Sequence, residues 1–427
     1  MPGKRFDIKQ FYIKALPWIV WTLRIALGAV FLVSGLSKGI DLWGFVYKIE
    51  EYLSVLDFVQ PRSLVVVAAM GISCYEFTFG AMLLVGCYRR FSASALLAMM
   101  AVMLPLTLYI YVANPVADCG CFGDMLIISN AATFWKNVVI TAGLIYLLTV
   151  TRKVDGLYRF FTQWATTTVS VIYFLTVAML GYNVQPLIDF RSFPVGTRLI
   201  NDEDSAGETN EYKFVYSKDG VEKEFDLDNL PDSTWSFVDR RLVDGSEMER
   251  TDFVVMDGEE NVSEDIISEQ GEQLVVVVPQ GERADVSYTY TINELWRYIT
   301  ARGGSLVELV AMPAAVLPQW MDLSMATYPV YSADGTMLKE MSRGDISAIY
   351  LRDGVIQWKR SLASIDVDMF ARAGEGLNAL ELLDTHGHAT FLWLSSGYLA
   401  LMLLLWGMSK SRSLFLLRQR LRKKLKS

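Results

Sequence analysis

The run Leu23-Arg24-Ile25-Ala26-Leu27-Gly28-Ala29-Val30-Phe31-Leu32-Val33-Ser34-Gly35-Leu36-Ser37-Lys38 decides the fold. It is one apolar stretch, broken by a single cation near its start and closed by another at its end. Together with the residues before it, it supplies a span over 17–35, close to the ~20 helical residues needed to cross a bilayer. Five more such runs follow, at 63–86, 93–113, 135–150, 168–184 and 390–408. The chain is 52% hydrophobic and 12% aromatic over 427 residues, which is too apolar for an ordinary soluble protein of this length. The expected class is therefore a membrane all-α protein with six spans. The first run does not read as a cleavable signal, because its apolar stretch is too long and no small-residue cleavage site precedes a soluble domain.

Charge divides the chain. Residues 186–385 hold 38 acidic and 17 basic side chains, a net −21, whereas the remainder is net +13. That split points to a membrane with two different faces and gives no ground for a nucleic-acid partner. Lys4, Arg5, Lys9, Lys14, Arg89, Arg90, Arg152, Lys153, Arg159 and the eight basic residues from Lys410 to Lys426 all fall on one side by alternation. The positive-inside rule makes that side cytoplasmic, with both termini on it and residues 186–385 outside. Residues 413–426 mix leucines with basic residues, as a positive-inside anchor or an interfacial helix does. Residues 40–56 carry apolar side chains at helical spacing and predict an amphipathic helix at the outer interface.

The first span continues through Asp41, Gly44-Phe45 and Ile49-Glu50-Glu51-Tyr52. The second holds Glu76, and the third leads to Asp118-Cys119-Gly120-Cys121-Phe122-Gly123-Asp124 and then Thr133-Phe134-Trp135-Lys136-Asn137. Over residues 17–150 this pattern resembles the DoxX-like superfamily, and within it the MauE (methylamine utilisation protein E) branch. The resemblance implies a four-helix membrane bundle engaged in membrane-linked thiol or electron chemistry, or in maturation of exported proteins. The fifth span, the outer domain and the sixth span depart from the short family form. As a whole, the chain is similar to fused proteins of Bacteroidetes, which implies a bacterial inner membrane and a periplasmic outer side.

Cys119 and Cys121 lie just past the third span. A Cys-x-Cys pair closes a small strained ring, which suits exchange, and Gly120 gives the turn backbone freedom. Asp118 and Asp124 oppose thiolate formation. Three readings stay open: a thiol–disulfide relay that can pass electrons to a quinone, a disulfide that pins the loop, and a zinc or copper site completed by the chain's two histidines, His386 and His388. Cys74 reads as packing and Cys87 as a reduced thiol at the cytoplasmic end.

Arg24 and Glu76 sit inside spans, where ionisable groups are costly and pair or line a cavity. Taking Lys38 and Ser63 as the outer ends places both about 20 Å deep, and so predicts an Arg24–Glu76 ion pair. That pair reads either as a proton or headgroup site or as a fixer of helix register. Lys38 is left at the membrane face. Pro105 should kink the third span, and Met82, Met99, Met100 and Met103 read as core filler or as the lining of a cavity.

In the outer segment, Tyr212–Tyr216 and Val221–Phe225 flank Asp219-Gly220, a hairpin signal. Residues 186–270 are expected to form a small β-rich module. Residues 271–385 then order a strand at 274–278, a helix at 292–301, a strand at 305–311, a helix at 314–323 and a hairpin across Arg352-Asp353-Gly354. That order resembles a thioredoxin-like domain without Cys-x-x-Cys and without a proline before the hairpin, which leaves it binding rather than redox chemistry. No phosphate loop, catalytic triad or HExxH motif is present. The domain expectation is thus a four-helix bundle over 1–153, a fifth span and linker over 154–185, the β-rich module over 186–270, the thioredoxin-like domain over 271–385, a sixth span over 386–408 and a basic tail over 409–427. The functional expectation is an accessory factor working through Cys119 and Cys121 on a periplasmic or membrane protein partner. The alternative is a scaffold in which the pair only holds its loop.

Overall fold

The computed structural model describes residues 8–55, 58, 60–114, 120–121, 123–126, 128–185, 187–199, 212–218, 221–226, 236–242, 253–257, 260–281, 286–372 and 378–424. The chain divides into two units, Met1–Phe190 with Glu381–Ser427, and Arg191–Leu380.

The first unit is helical: α1 (Ile8–Ile40), α2 (Leu42–Val55), α3 (Arg62–Val85), α4 (Arg89–Ala113), α5 (Asn130–Val150), α6 (Phe160–Val184) and a last helix, Gly387–Lys424. Six of these, all but α2, are long and apolar enough to cross a membrane, so a lipid bilayer surrounds this unit. Each of the six expected apolar runs falls within one of them, except that Gly86, the last residue of the second run, caps α3. α2 is the expected amphipathic helix. It buries Leu42, Trp43, Phe45 and Val46 against Val65 and Ala69 of α3, and the Trp43 indole N–H donates to the Tyr182 carbonyl at 3.1 Å. Pro105 lies within α4, which continues to Ala113.

Glycines set how α1 and α3 meet. A Cβ on Gly28 would lie 2.7 Å from the Leu84 nitrogen, and one on Gly35 would strike the Phe77 nitrogen. Both pairs are seven residues apart on their helices, so they fix a single antiparallel register. The bare glycines let the two backbones approach closely, which favours helix packing inside a membrane. Gly35→Val should therefore part the helices, at a cost of about 1–3 kcal/mol from overpacking. Thermal unfolding in nanodiscs reads this as a lowered midpoint, and an unchanged midpoint contradicts the register. The last helix joins α6 through polar contacts between the Ser170 and Tyr398 hydroxyls (2.9 Å) and between the Tyr173 and Ser395 hydroxyls (2.8 Å).

The second unit holds a three-stranded antiparallel sheet, β1 (Tyr212–Lys218), β2 (Val221–Asp226) and β3 (Ser236–Leu242), in the order β2-β1-β3. The expected hairpin is there, although its Asp219-Gly220 turn lies outside the described residues. A two-stranded ribbon, β4 (Met256–Asp257) and β5 (Glu260–Asn261), leads into α7 (Ser263–Ile266). Then come β6 (Glu272–Val278), α8 (Thr289–Ala301), β7 (Ser305–Val310), α9 (Leu317–Ser324), β8 (Val330–Ser332), α10 (Gly335–Met341), β9 (Ser347–Arg352), β10 (Val355–Ser361) and α11 (Asp368–Arg372).

These strands form a mixed sheet in the order β10-β9-β6-β7-β8. β6, β7 and β8 run parallel to one another, β9 pairs antiparallel with β6, and β10 pairs antiparallel with β9. β6 is central and buried on both faces, as its valine run requires. Asp353 and Gly354 both take positive φ, the two-residue hairpin turn that Asp-Gly favours. β8 and α10 were not expected. β8 is three residues long after Pro329, and the Asp334 side chain caps α10 by accepting from the Thr336 and Met337 N–H groups. Phe193, Leu199, Val255 and Ile266 share one core with Val275 and Val307 of this sheet.

Candidate functional site

The α1–α3 register decides which charges meet. With Gly28 facing Leu84 and Gly35 facing Phe77, Glu76 sits opposite the last turns of α1. Arg24 lies about 18 Å further along the axis, near the far end of α3. The expected Arg24–Glu76 pair does not form. Instead, the Lys38 ammonium donates to both Glu76 oxygens, each at 2.8 Å, with both side chains buried. The error lay in treating Lys38 as a membrane-face end. α1 continues to Ile40, and Lys38 is only 2% exposed.

The pair has further neighbours. Lys38 also donates to the Ser34 hydroxyl at 3.3 Å and stands 4.8 Å over the Phe45 ring. Ser34 Oγ lies 2.8 Å from Glu76 Oε2 and 2.7 Å from the Cys121 carbonyl, so its one proton is shared between a carboxylate and the cysteine loop. Spacing explains the constellation. Ser34 and Lys38 are four apart and project from one face of α1.

Cys121 is half-buried. Before it, Gly120 takes a positive φ of 61°, and a Cβ there would meet the Lys48 side chain of α2 at 2.8 Å. The turn therefore needs glycine twice over, for backbone freedom and for space. Cys119 and Asp118 lie outside the described residues, as does the Asp124 side chain.

Beside the ion pair is a cavity of about 40 Å³, lined by Ser34, Lys38, Glu76 and Cys121 together with Met99, Met100 and Met103 of α4 and Lys136 and Asn137 of α5. Its wall is mostly apolar, with Val30, Phe31 and Ile140 beside the methionines, and its polar groups gather at the ion pair; a space of this size has room for a few waters. Three of the four methionines marked in the sequence thus line it. Met82 lies in another cluster, where the Thr167 hydroxyl donates to its sulfur. The sequence marks Lys136 and Asn137 only through the family resemblance. Their position near the start of a span, about two turns inside the α5 N-terminus, was the signal that could have marked them.

The other candidates lie apart. The Arg24 guanidinium is buried and donates to the carbonyls of Thr151, Val154 and Asp155 and to the Thr151 hydroxyl, at 2.9–3.1 Å. His386 Nδ1 faces Asp384 at 3.0 Å. Among the described residues, no three of His, Cys, Asp and Glu gather as a metal site, so Cys121, His386 and His388 are not brought together. Cys74 and Cys87 carry no disulfide. Cys74 lies 3.8 Å from the Thr78 hydroxyl, and Cys87 lies 3.6 Å from that of Thr166.

The class this defines is a multi-pass membrane protein of six apolar helices with a buried lysine–glutamate pair under a cysteine loop. Residues 16–150 match the family described as methylamine utilisation protein MauE, about a third of the chain. That match covers the first four spans, the ion pair and the cysteine loop. Residues 210–243 match a domain of unknown function (DUF8463) and coincide with the β2-β1-β3 sheet. No curated protein and no solved structure matches the chain.

Proposed function

We propose that this protein is a membrane accessory factor in the maturation of exported proteins, exchanging disulfides through Cys119 and Cys121. Residues 271–385 act as a thioredoxin-like client-binding domain. The chain lies in a bacterial inner membrane, with both termini cytoplasmic and residues 186–385 periplasmic. The observation that carries this reading is the seating of Cys121. Its carbonyl rests on Ser34, one hydrogen bond from the buried Lys38–Glu76 pair and beside a small cavity that the pair lines. A buried ion pair is weak evidence for stability alone, and inside a membrane it points to function.

The step is plain thiol–disulfide exchange. A client thiolate attacks one sulfur of the oxidised Cys119–Cys121 pair, the S–S bond breaks, and the other cysteine leaves as a thiolate. A second client thiolate resolves the mixed disulfide, so the client loses two electrons and the pair gains them. The pair is reoxidised by the same exchange with another disulfide. The cavity is small for a quinone ring, and no step through a quinone is proposed.

Single Cys119→Ser and Cys121→Ser variants test this. One of them should hold a mixed disulfide with an exported protein on a non-reducing gel, and the double variant should hold none while its abundance stays normal. If neither single variant traps a partner, the relay is wrong. The scaffold reading draws on one observation: Cys121 meets Ser34 through its backbone, not its sulfur. It expects the double variant to lose abundance and no variant to trap.

A further inference from the structure

Glu308 stands in the middle of β7, between β6 and β8, and is fully buried. Along the strand it alternates with Val307 and Leu309, which join the core shared with α10, so Glu308 points to the opposite face of the sheet. Two helices cover that face: α8, over β6 and β7, and α9, which lies toward β8. Of α9 only Trp320 and Ser324 are buried. Met321 and Leu323 of α9, with Val316 before it and Met325 after it, are exposed. The Trp320 indole N–H donates to Glu308 Oε1 at 3.1 Å, and this bond ties α9 to the sheet.

The tie is incomplete. Glu308 Oε2 and the Tyr328 hydroxyl, on the segment leading into β8, are both buried and act on each other, but they do not meet in good hydrogen-bond geometry. Among the described residues, no cation offsets the carboxyl. Its neighbour on β6 is Val276, and the buried face of α8 presents Ile292, Leu295 and Ile299. Arg297 and Glu294 of α8 bond to each other at 2.6 Å. Asp322 of α9 is exposed, and Val330 is the buried residue of β8. The groups that act on Glu308 are Tyr328 and Trp320. One indole bond and a nearby phenol are poor compensation for a buried carboxylate, whereas a neutral carboxyl costs far less there.

We propose that α9 is a strap over the β7–β8 face, held shut by the neutral Glu308 carboxyl and released when that carboxyl ionises. Release turns the Trp320 ring and the strand face beneath it toward solvent. Burial pushes Glu308 up to about 7, partly countered by Tyr328 and Trp320. The sign follows from linkage. The closed form holds its proton more tightly than the open form, so closure is strongest below the ordinary carboxylate value. It weakens as pH rises and reaches its floor above about pH 7.

Hydrogen exchange of the full-length protein in nanodiscs, corrected for intrinsic rates, reads this directly. From about pH 5 to about pH 8, protection of the α9 amides should fall by a few tens of fold, while the β6 amides stay flat. Glu308→Gln, which cannot ionise, should keep α9 protected at both values. Trp320→Phe removes the tie but keeps a ring, so it should leave α9 open at both. A flat wild-type profile overturns the strap, as does an unchanged pH profile in either variant. Because the wild-type profile and Trp320→Phe are read independently of Glu308→Gln, the test survives a Glu308→Gln chain that fails to fold.

Discussion

Lys38→Met should destabilise the helical unit by about 3–5 kcal/mol, because it strands Glu76 as an uncompensated buried charge. Glu76→Leu should cost as much by stranding Lys38. The double variant Lys38→Met/Glu76→Leu should recover most of that loss. A buried pair replaced by apolar groups of similar volume is often neutral, and the apolar double leaves Ser34 its Cys121 acceptor. A double-mutant cycle on thermal or denaturant unfolding in nanodiscs measures the coupling. Single variants that each cost under about 1 kcal/mol would show that the pair is solvated and that the burial argument is wrong. The double variant also separates stability from chemistry. If the pair serves the cysteine loop, the refolded double should capture client far less than the wild type does, although it folds. Capture at wild-type level would confine Lys38 and Glu76 to packing.

The helices themselves were legible, because a bilayer imposes length and apolarity that survive in composition. α2 was legible from its spacing, the Asp353-Gly354 hairpin from its turn residues and β6 from its valine run. Pairing between spans was not. Depth counted from assumed helix ends missed the register by about eleven residues, since Lys38 belongs inside the bundle and α1 runs past it. The true register is set by Gly28 and Gly35 against α3, and a glycine in a span does not announce which partner its bare face will meet. The cavity was half legible. Methionines four apart on α4 were noticed, but their meeting with Lys136 and Asn137 of α5 depends on helix rotation. Glu308 carried a signal that went unread: one carboxylate inside Leu306-Val307-Glu308-Leu309-Val310, a strand apolar on both faces, has no solvated side to occupy.

Arg24→Lys should prove nearly as damaging as Arg24→Met, at about 3–5 kcal/mol for the latter. The Arg24 guanidinium reaches from α1 to the turn that follows α5. It satisfies the Thr151, Val154 and Asp155 carbonyls and the Thr151 hydroxyl, groups left over where the helix ends. Its Trp21 neighbour lies 5.2 Å below, and the adjacent chain is fastened by the Leu157 N–H donating to the Val85 carbonyl at 2.9 Å. A planar fork serves acceptors spread over five residues, and an ammonium on a shorter reach cannot. Arg89 is the control. It shares the Val154 carbonyl at 2.7 Å, but its ion pair is with the fully solvated carboxylate of Asp155. Arg89→Met should therefore cost about 1 kcal/mol or less. Thermal unfolding of the three variants ranks them. Arg24→Lys at wild-type stability would mean that charge alone, not the fork, holds the turn, and the part assigned to Arg24 would fall with it. Because this latch and the Lys38–Glu76 pair lie about 21 Å apart along α1, with Arg24 at its middle and Lys38 in its last turn, their losses should add. A coupling above about 0.5 kcal/mol between Arg24→Met and Lys38→Met would show that α1 moves as a single rigid lever between the two sites.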